Sequence, residues 1–197
     1  MELFIQSVTP AADGVVALEL APPAGQPLPA FTPGAHIDLH LGNGLVRSYS
    51  LVNPPHDGGR YVVAVNLDPA SRGGSRYIHD SLRAGQTIEV GGPRNNFELV
   101  EDAPEVVLIA GGIGITPMWC MVQHLETLGR RWRLFYSARS RSKCAYLADI
   151  QALEAARPGR VQVHIDDEND GRHGDPAATV ARVGPDAHVV CCGPVAQ

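Results

Sequence analysis

The sequence reads as a β + α/β protein, an antiparallel β-barrel followed by a parallel-sheet α/β domain, and three features carry that reading. Up to about residue 100, short runs rich in Val, Ile, Leu and Tyr are divided by Gly and Pro turn signals, the pattern of a small antiparallel barrel. After Glu101-Asp102-Ala103-Pro104, continuous apolar runs alternate with helical stretches, as strands buried on both faces alternate with crossover helices. A glycine-rich turn joins the first of those runs to the first of those helices.

Taken in order, the expected strands of the first half are Leu3–Val8, Val15–Leu20, Ile37–Leu41, Val46–Val52 and Tyr61–Leu67. They are separated by Pro22-Pro23, Pro33-Gly34, Gly42-Asn43-Gly44, Pro54-Pro55 and Gly58-Gly59. One helix interrupts them, from Ser75 as N-cap to about Arg83, with Gly85 as its stop signal and Asp80 on its solvated face. Pro93-Arg94-Asn95-Asn96-Phe97 reads as a turn before the linker. In the second half the strands are Val106–Ala110, Trp132–Ser137, Val161–Ile165 and His188–Cys192. The helices between them run over about Pro117–Leu128, Ala145–Ala156 and Ala177–Arg182. The expected domains are therefore 1–100 and 101–197, with no internal repeat.

Composition excludes several classes. The 197 residues carry a net charge of −5, and Lys143 is the single lysine. With neither half basic, no clustered field exists to displace the counterions of a nucleic acid. Arg dominance among the cations points instead to bidentate recognition of small anions. No run reaches the ~18 apolar residues of a membrane span. Met1-Glu2-Leu3-Phe4 lacks the features of a signal peptide, and the expectation is a cytoplasmic protein that does not bind membranes. Cys120, Cys144, Cys191 and Cys192 match neither a disulfide framework nor a zinc site, and the eight histidines form no ligand motif, so no metal is expected.

The turn Gly111-Gly112-Ile113-Gly114-Ile115-Thr116-Pro117 lets the backbone approach a ligand and presents helix N–H groups to a phosphate. It departs from Gly-x-Gly-x-x-Gly and from the P-loop, and no acid follows about 20 positions on. That region, Tyr136-Ser137-Ala138-Arg139-Ser140-Arg141, is polar and cationic, and Arg139 and Arg141 with Ser137 suit a 2′-phosphate. A plain strand-to-helix turn is the alternative. On Arg47-Ser48-Tyr49-Ser50, alternation puts Arg47 and Tyr49 on one strand face, able to hold a phosphate and cover a flat ring, or else an ordinary exposed Arg beside a half-buried Tyr. Arg72-Gly73-Gly74-Ser75 opens a helix and suits a single phosphate, or is a routine cap. Cys191-Cys192-Gly193-Pro194 ends the last strand on the same sheet edge as the glycine turn, with Cys191 expected to be a buried thiol. Asp166-Asp167-Glu168 also follows a strand end, as a ribose ligand or a solvated loop.

In sequence order, Arg-x-Tyr-Ser, Arg-Gly-Gly-Ser, Pro-Arg-Asn-x-Phe, Gly-Gly-x-Gly-x-Thr-Pro and Cys-Gly-Pro resemble the ferredoxin–NAD(P)+ reductase superfamily. Within it they are most similar to reductases of the phthalate dioxygenase and vanillate demethylase type. The resemblance implies an FMN-binding barrel, with FAD as the alternative, and an NADH-binding α/β domain. It implies that Arg47 contacts the flavin phosphate, that Ser48 belongs to the same flavin-binding strand, that Tyr49 packs on the isoalloxazine and that Ser50 hydrogen-bonds near N5. Ala64, Val65 and Asn66 would run along the flavin edge, and Arg72, Gly74 and Ser75 would cradle the phosphate. Gly111, Gly112, Gly114 and Thr116 would hold the nicotinamide nucleotide, with Cys192 beside its reacting carbon and Gly193 and Pro194 also binding the cofactor. Tyr136, Arg139 and Asp166 match positions near the nucleotide.

Ser50 and Cys192 are thus the expected catalytic residues of an NADH-dependent, FMN-containing oxidoreductase. Its partner would be an iron–sulfur acceptor, a ferredoxin domain or a Rieske-type oxygenase. A non-catalytic flavin-binding or docking module is the second reading, as is the same reductase using FAD or NADPH. Relatives carry a plant-type [2Fe–2S] domain, whose Cys-x4-Cys-x2-Cys spacing this chain lacks. The family would also continue into another helix after Pro194, so the expectation is a C-terminally incomplete nucleotide domain and an absent cluster domain.

Overall fold

The structure is a computed structural model and describes residues 1–24, 26–181 and 183–194. Its first sheet is antiparallel and six-stranded, built from β1 (Glu2–Ala12), β2 (Val15–Ala21), β3 (His36–His40), β4 (Val46–Ser50), β5 (Tyr61–Asn66) and β6 (Thr87–Arg94) in the order β4-β3-β6-β1-β2-β5. The two outer strands meet. Leu51 bridges to Val63 and the Val52 N–H donates to the Val62 carbonyl at 2.8 Å, which closes the sheet toward a barrel. Period-2 alternation sends Ile37 and Leu39 inward, where they meet Leu3, Ile5, Leu18, Leu20, Val63 and Val90. Helix α1 (Gly74–Ser81) packs on β5, with a His79 ring nitrogen 2.9 Å from the Val65 carbonyl.

The second sheet is parallel, with β7 (Val106–Gly111), β8 (Trp132–Ala138), β9 (Val161–Ile165) and β10 (His188–Cys192) in the order β10-β7-β8-β9. Its central strand is buried from Val106 to Ala110, as a strand covered on both faces must be. Helices α2 (Ile115–Thr127), α3 (Leu147–Ala156) and α4 (Ala177–Val180) make the crossovers. Pro117 sits in the first turn of α2, where its missing N–H costs nothing.

Several expectations are corrected. The strand β6 was not foreseen, because Gly91-Gly92-Pro93 reads as punctuation. Ile88 and Val90 nonetheless point into the core, and Arg94, expected in a turn, pairs with His36. Ser75 is not the cap of α1. Gly73 holds that position at φ 96°, a left-handed conformation that glycine adopts freely, while the Ser75 hydroxyl accepts the Asp68 N–H at 3.2 Å. The helix ends at Ser81 rather than Arg83, and α3 starts at Leu147 rather than Ala145. The last helix ends at Val180, and Arg182 lies outside the described residues.

The two sheets share apolar packing. Val15, Val52 and Ala64 of the first half belong to the cluster formed by α2 with β7 and β8. In return Cys120 of α2 lies in the barrel's cluster and donates its thiol to the Asn53 carbonyl at 3.2 Å. This seam brings the glycine turn before α2 against β5.

Candidate functional site

The barrel side of the site begins at β4. Arg47 and Tyr49 are half-buried on one face, as alternation requires. The tyrosine hydroxyl is raised above its usual range by burial, with Arg47 opposing that shift. Ser48 faces the other way, and its hydroxyl donates to Asp38 Oδ1 at 2.6 Å, so its side chain is committed there rather than beside Arg47. Asp38 also accepts from Arg94. These two hydrogen bonds, Ser48 first, hold the Asp38 carboxyl below the ordinary carboxylate range. Ser50 lies at the end of β4 opposite His36, half-buried.

Arg47 arches over the start of α1. A Cβ on Gly74 would stand 2.7 Å from Arg47 Nε and 2.9 Å from its Cγ. The guanidinium also donates to the Val46 carbonyl at 2.8 Å. The first N–H groups of α1 have no partner within the helix, and a cation is therefore held beside several free donors. Arg72, on the loop just before, is exposed. That combination gathers positive charge and free N–H donors at the start of α1. On β5 the Ala64 and Val65 side chains are buried, leaving main chain and the exposed Asn66 to any ligand at that edge.

On the sheet side, β7 ends at Gly111 and a 3-10 turn, Gly112–Gly114, leads into α2. Gly112 has φ 52° with open space around it. A Cβ on Gly114 would overlap the Cys192 carbonyl. A Cβ on Gly111 would stand 3.2 Å from Pro194 Cδ, and one on Gly193 would stand 3.0 Å from Gly111 Cα. The Cys-Gly-Pro segment is thus laid on the glycine turn by bare backbone contact. Thr116 is buried, its hydroxyl donating to the Ile113 carbonyl at 3.0 Å, and it shapes the turn from inside. Cys192 is half-buried and packs with Ile113 against the shared core, and burial pushes its thiol up, with Cys191 adding to the shift.

Past β8 and β9 the outcome is mixed. Tyr136 is fully buried, its hydroxyl raised by that burial and without a hydrogen-bond partner, so its side chain lies in the core and not on the ligand edge. Arg139 is exposed, and its carbonyl accepts the Asp167 N–H at 3.0 Å. Asp166 is buried rather than solvated and pairs with His173 Nδ1 at 2.7 Å. Arg141 is clamped by Glu168 through two hydrogen bonds of 2.7 Å. Cys191, expected to be buried, is exposed, as is Val189 on the same strand, while Val190 between them is buried. Sequence reasoning missed the Asp38–Arg94 and Arg141–Glu168 pairs. Their members are 56 and 27 residues apart, and only strand adjacency joins them.

Among the described residues no group of three or more His, Cys, Asp or Glu is placed to hold a metal ion, and no helix is long and apolar enough to cross a membrane.

Residues 108–196 match the family model of the oxidoreductase NAD-binding domain. The chain is 47% identical over its whole length to a tetrachlorobenzoquinone reductase of Sphingobium chlorophenolicum, covering 61% of that protein. It is 48% identical over 99% of its length to a phenoxybenzoate dioxygenase subunit beta of Ectopseudomonas oleovorans, covering 60% of it. Among solved structures, phthalate dioxygenase reductase superposes with a TM-score of 0.92 at 36% identity, over 98% of this chain and 60% of that one. That structure is described as modular, for electron transfer from pyridine nucleotides to [2Fe–2S]. The chain spans about three-fifths of the length of these relatives.

Proposed function

The chain belongs to the ferredoxin reductase-like superfamily, and we propose that it is the flavin- and nucleotide-binding part of an oxygenase reductase, taking a hydride from NADH onto FMN and passing electrons singly to an iron–sulfur centre. Residues 1–100 serve the flavin and residues 101–197 the nucleotide. One observation carries this reading. The glycine turn, with Cys192 fastened to Gly114, packs on β5 of the barrel, the same strand on which α1 and its Arg47 cluster pack.

The residues present fit the implied groups. Gly74 leaves room for the Arg47 stem, and Arg47, Arg72 and the α1 N–H groups offer charge and donors for one phosphate monoester. That single compact cradle favours FMN over FAD. A bound flavin supplies the acceptance of hydride and its release as single electrons. The protein supplies position and exclusion of water. Tyr49 offers a flat, half-buried ring face, and Ser50 a hydroxyl at the strand end. Main chain at Ala64 and Val65, with Asn66, borders the ring system. Gly111, Gly112 and Gly114 admit the nucleotide backbone to backbone, and Thr116 holds the turn's shape. Cys192, kept as a neutral thiol by burial, presents a small polarizable surface to the nicotinamide, with Gly193 and Pro194 as its support. Val52, Ile113 and Ala64 keep the seam dry. The acceptor is a ferredoxin domain or Rieske-type oxygenase of the same system, and the protein works in the cytoplasm.

The test is direct. The purified protein is expected to be yellow, to release FMN on heating, and to bleach anaerobically with NADH faster than with NADPH at equal concentration. A protein that stays colourless after incubation with FMN and with FAD overturns the assignment. Bound flavin that neither coenzyme reduces would mark a non-catalytic module instead.

A further inference from the structure

Two arginines follow β8, at the place where a nucleotide-binding sheet chooses its coenzyme. Gly111 of the glycine turn is the register partner of Ser137, so the segment that carries Arg139 and Arg141 leaves β8 at the same sheet edge as that turn. At this position an acid accepts a ribose 2′-hydroxyl, whereas an arginine takes a 2′-phosphate. By charge alone, two exposed arginines and no acid describe an NADPH site.

The next strand reverses that reading. Ala138 and Ile165 are the last paired residues of β8 and β9, so the segments beyond them run together. The Asp167 N–H donates to the Arg139 carbonyl at 3.0 Å and fastens the 166–168 turn onto the 139–141 segment. Glu168 then meets Arg141 fork to fork, Nε to Oε1 and Nη2 to Oε2, each at 2.7 Å. This is the guanidinium edge that a phosphate would use. The carboxyl is held below its ordinary range by Arg141, so it is charged at neutral pH. Asp166 is engaged by His173 and does not compete for Arg141.

We propose that Glu168 is the specificity-determining residue of the coenzyme site: by occupying Arg141 it withdraws one of the two cations open to a 2′-phosphate, leaving Arg139 alone, and its carboxylate turns the site toward the free ribose hydroxyl of NADH. This rests on the nucleotide-site reading above. Both partners are about half exposed, at 52% and 48%, so the pair adds little to stability. Its effect is on the ligand, because a dianionic phosphate meets a neutralised pair instead of a cation. Removing one unit charge at such short range from a dianion in water changes affinity by about tenfold.

The experiment uses the flavin-loaded chain and two probes, 5′-AMP and 2′,5′-ADP, whose binding is measured by calorimetry for the wild type, Glu168→Gln, Arg141→Gln and the double variant. The kcat/KM ratio of NADH to NADPH with ferricyanide as acceptor is recorded alongside. The wild type is expected to prefer 5′-AMP. Glu168→Gln is expected to tighten 2′,5′-ADP about tenfold, to lower the NADH/NADPH ratio by a similar factor, and to lose both gains when Arg141→Gln is added. A change below twofold in Glu168→Gln, or a gain that survives in the double variant, overturns the proposal while leaving the site intact. A wild type that binds neither probe and is reduced by neither coenzyme overturns the nucleotide site itself, and the proposal with it.

Discussion

Gly114 lies so close to the main chain of Cys192 that a single methyl group on it would overlap the Cys192 carbonyl oxygen and crowd the Gly193 nitrogen at 2.9 Å. The neighbour is backbone in a parallel sheet and cannot swing aside. Two segments 78 positions apart are thereby locked together at the edge where the nucleotide is proposed to bind.

Gly114→Ala is therefore expected to cost about 1–3 kcal/mol through overpacking, a fall in Tm of several degrees by thermal denaturation. Coenzyme-driven bleaching of the flavin should slow by more than tenfold. Gly112→Ala is the control. It meets open space and carries only the strain of φ 52°, so its Tm should fall by less.

At the barrel side, Gly74→Ala should displace the Arg47 side chain, since the new Cβ would lie 2.7 Å from its Nε. That neighbour is a flexible side chain, so the fold is expected to survive. The measured loss should be in flavin retention, with the FMN dissociation constant raised about tenfold by loss of one charge-assisted contact. Because Arg47→Ala removes the same contact, the double variant should bind FMN no more weakly than Arg47→Ala alone. Fluorescence of released flavin reads both.

The cysteines divide by burial. Cys191 is exposed. Burial raises the thiols of Cys192 and Cys144, and pushes that of Cys120 up to about 12. Alkylation of the native protein at pH 7 should therefore modify Cys191 first and Cys192 more slowly, sparing Cys120 and Cys144, as peptide mass mapping would show. Preferential labelling of Cys192 would contradict its description as a neutral, sheltered thiol.

Asp38 makes a prediction in pH. Its folded carboxyl is depressed by the Ser48 hydroxyl and by Arg94. A depressed acid stabilises the fold above its unfolded value, near pH 4, and loses that contribution as pH falls through the lower folded value. Asp38→Asn should cost on the order of 1 kcal/mol at pH 7 and progressively less below about pH 4. Denaturant titrations of both proteins across that range check the convergence.

Legibility differed by element. The alternation of Ile37 and Leu39, and the unbroken run Val106–Ala110, placed strands within a residue or two of where they lie. In both, burial follows from local spacing. The strand β6 escaped because Gly91, Gly92 and Pro93 weaken local strand preference, and pairing with β1 and β3 overrides it. At the site, Arg47, Gly74, Gly111, Gly114 and Cys192 were visible as motifs, and the structure sets Arg47 against Gly74 and Cys192 against Gly114. Tyr136 was expected near the nucleotide and Ser48 on the flavin strand, yet the first is sealed in the core and the second is turned to Asp38.

The sequence by itself determined the two folding patterns, the glycine turn and the excess of arginine over lysine. These depend on period, on backbone freedom and on composition, all of them local properties. Tertiary structure alone decided that Cys192 rests on Gly114, that Arg47 covers Gly74 and that Arg141 is claimed by Glu168. Strand order and register bring such residues together across 78, 27 and 27 positions, and no local spacing encodes which partner arrives. The charge at the nucleotide edge shows the consequence. Two arginines in sequence become, among the described residues, one without an ion pair and one held by Glu168, the difference on which the proposed coenzyme preference rests.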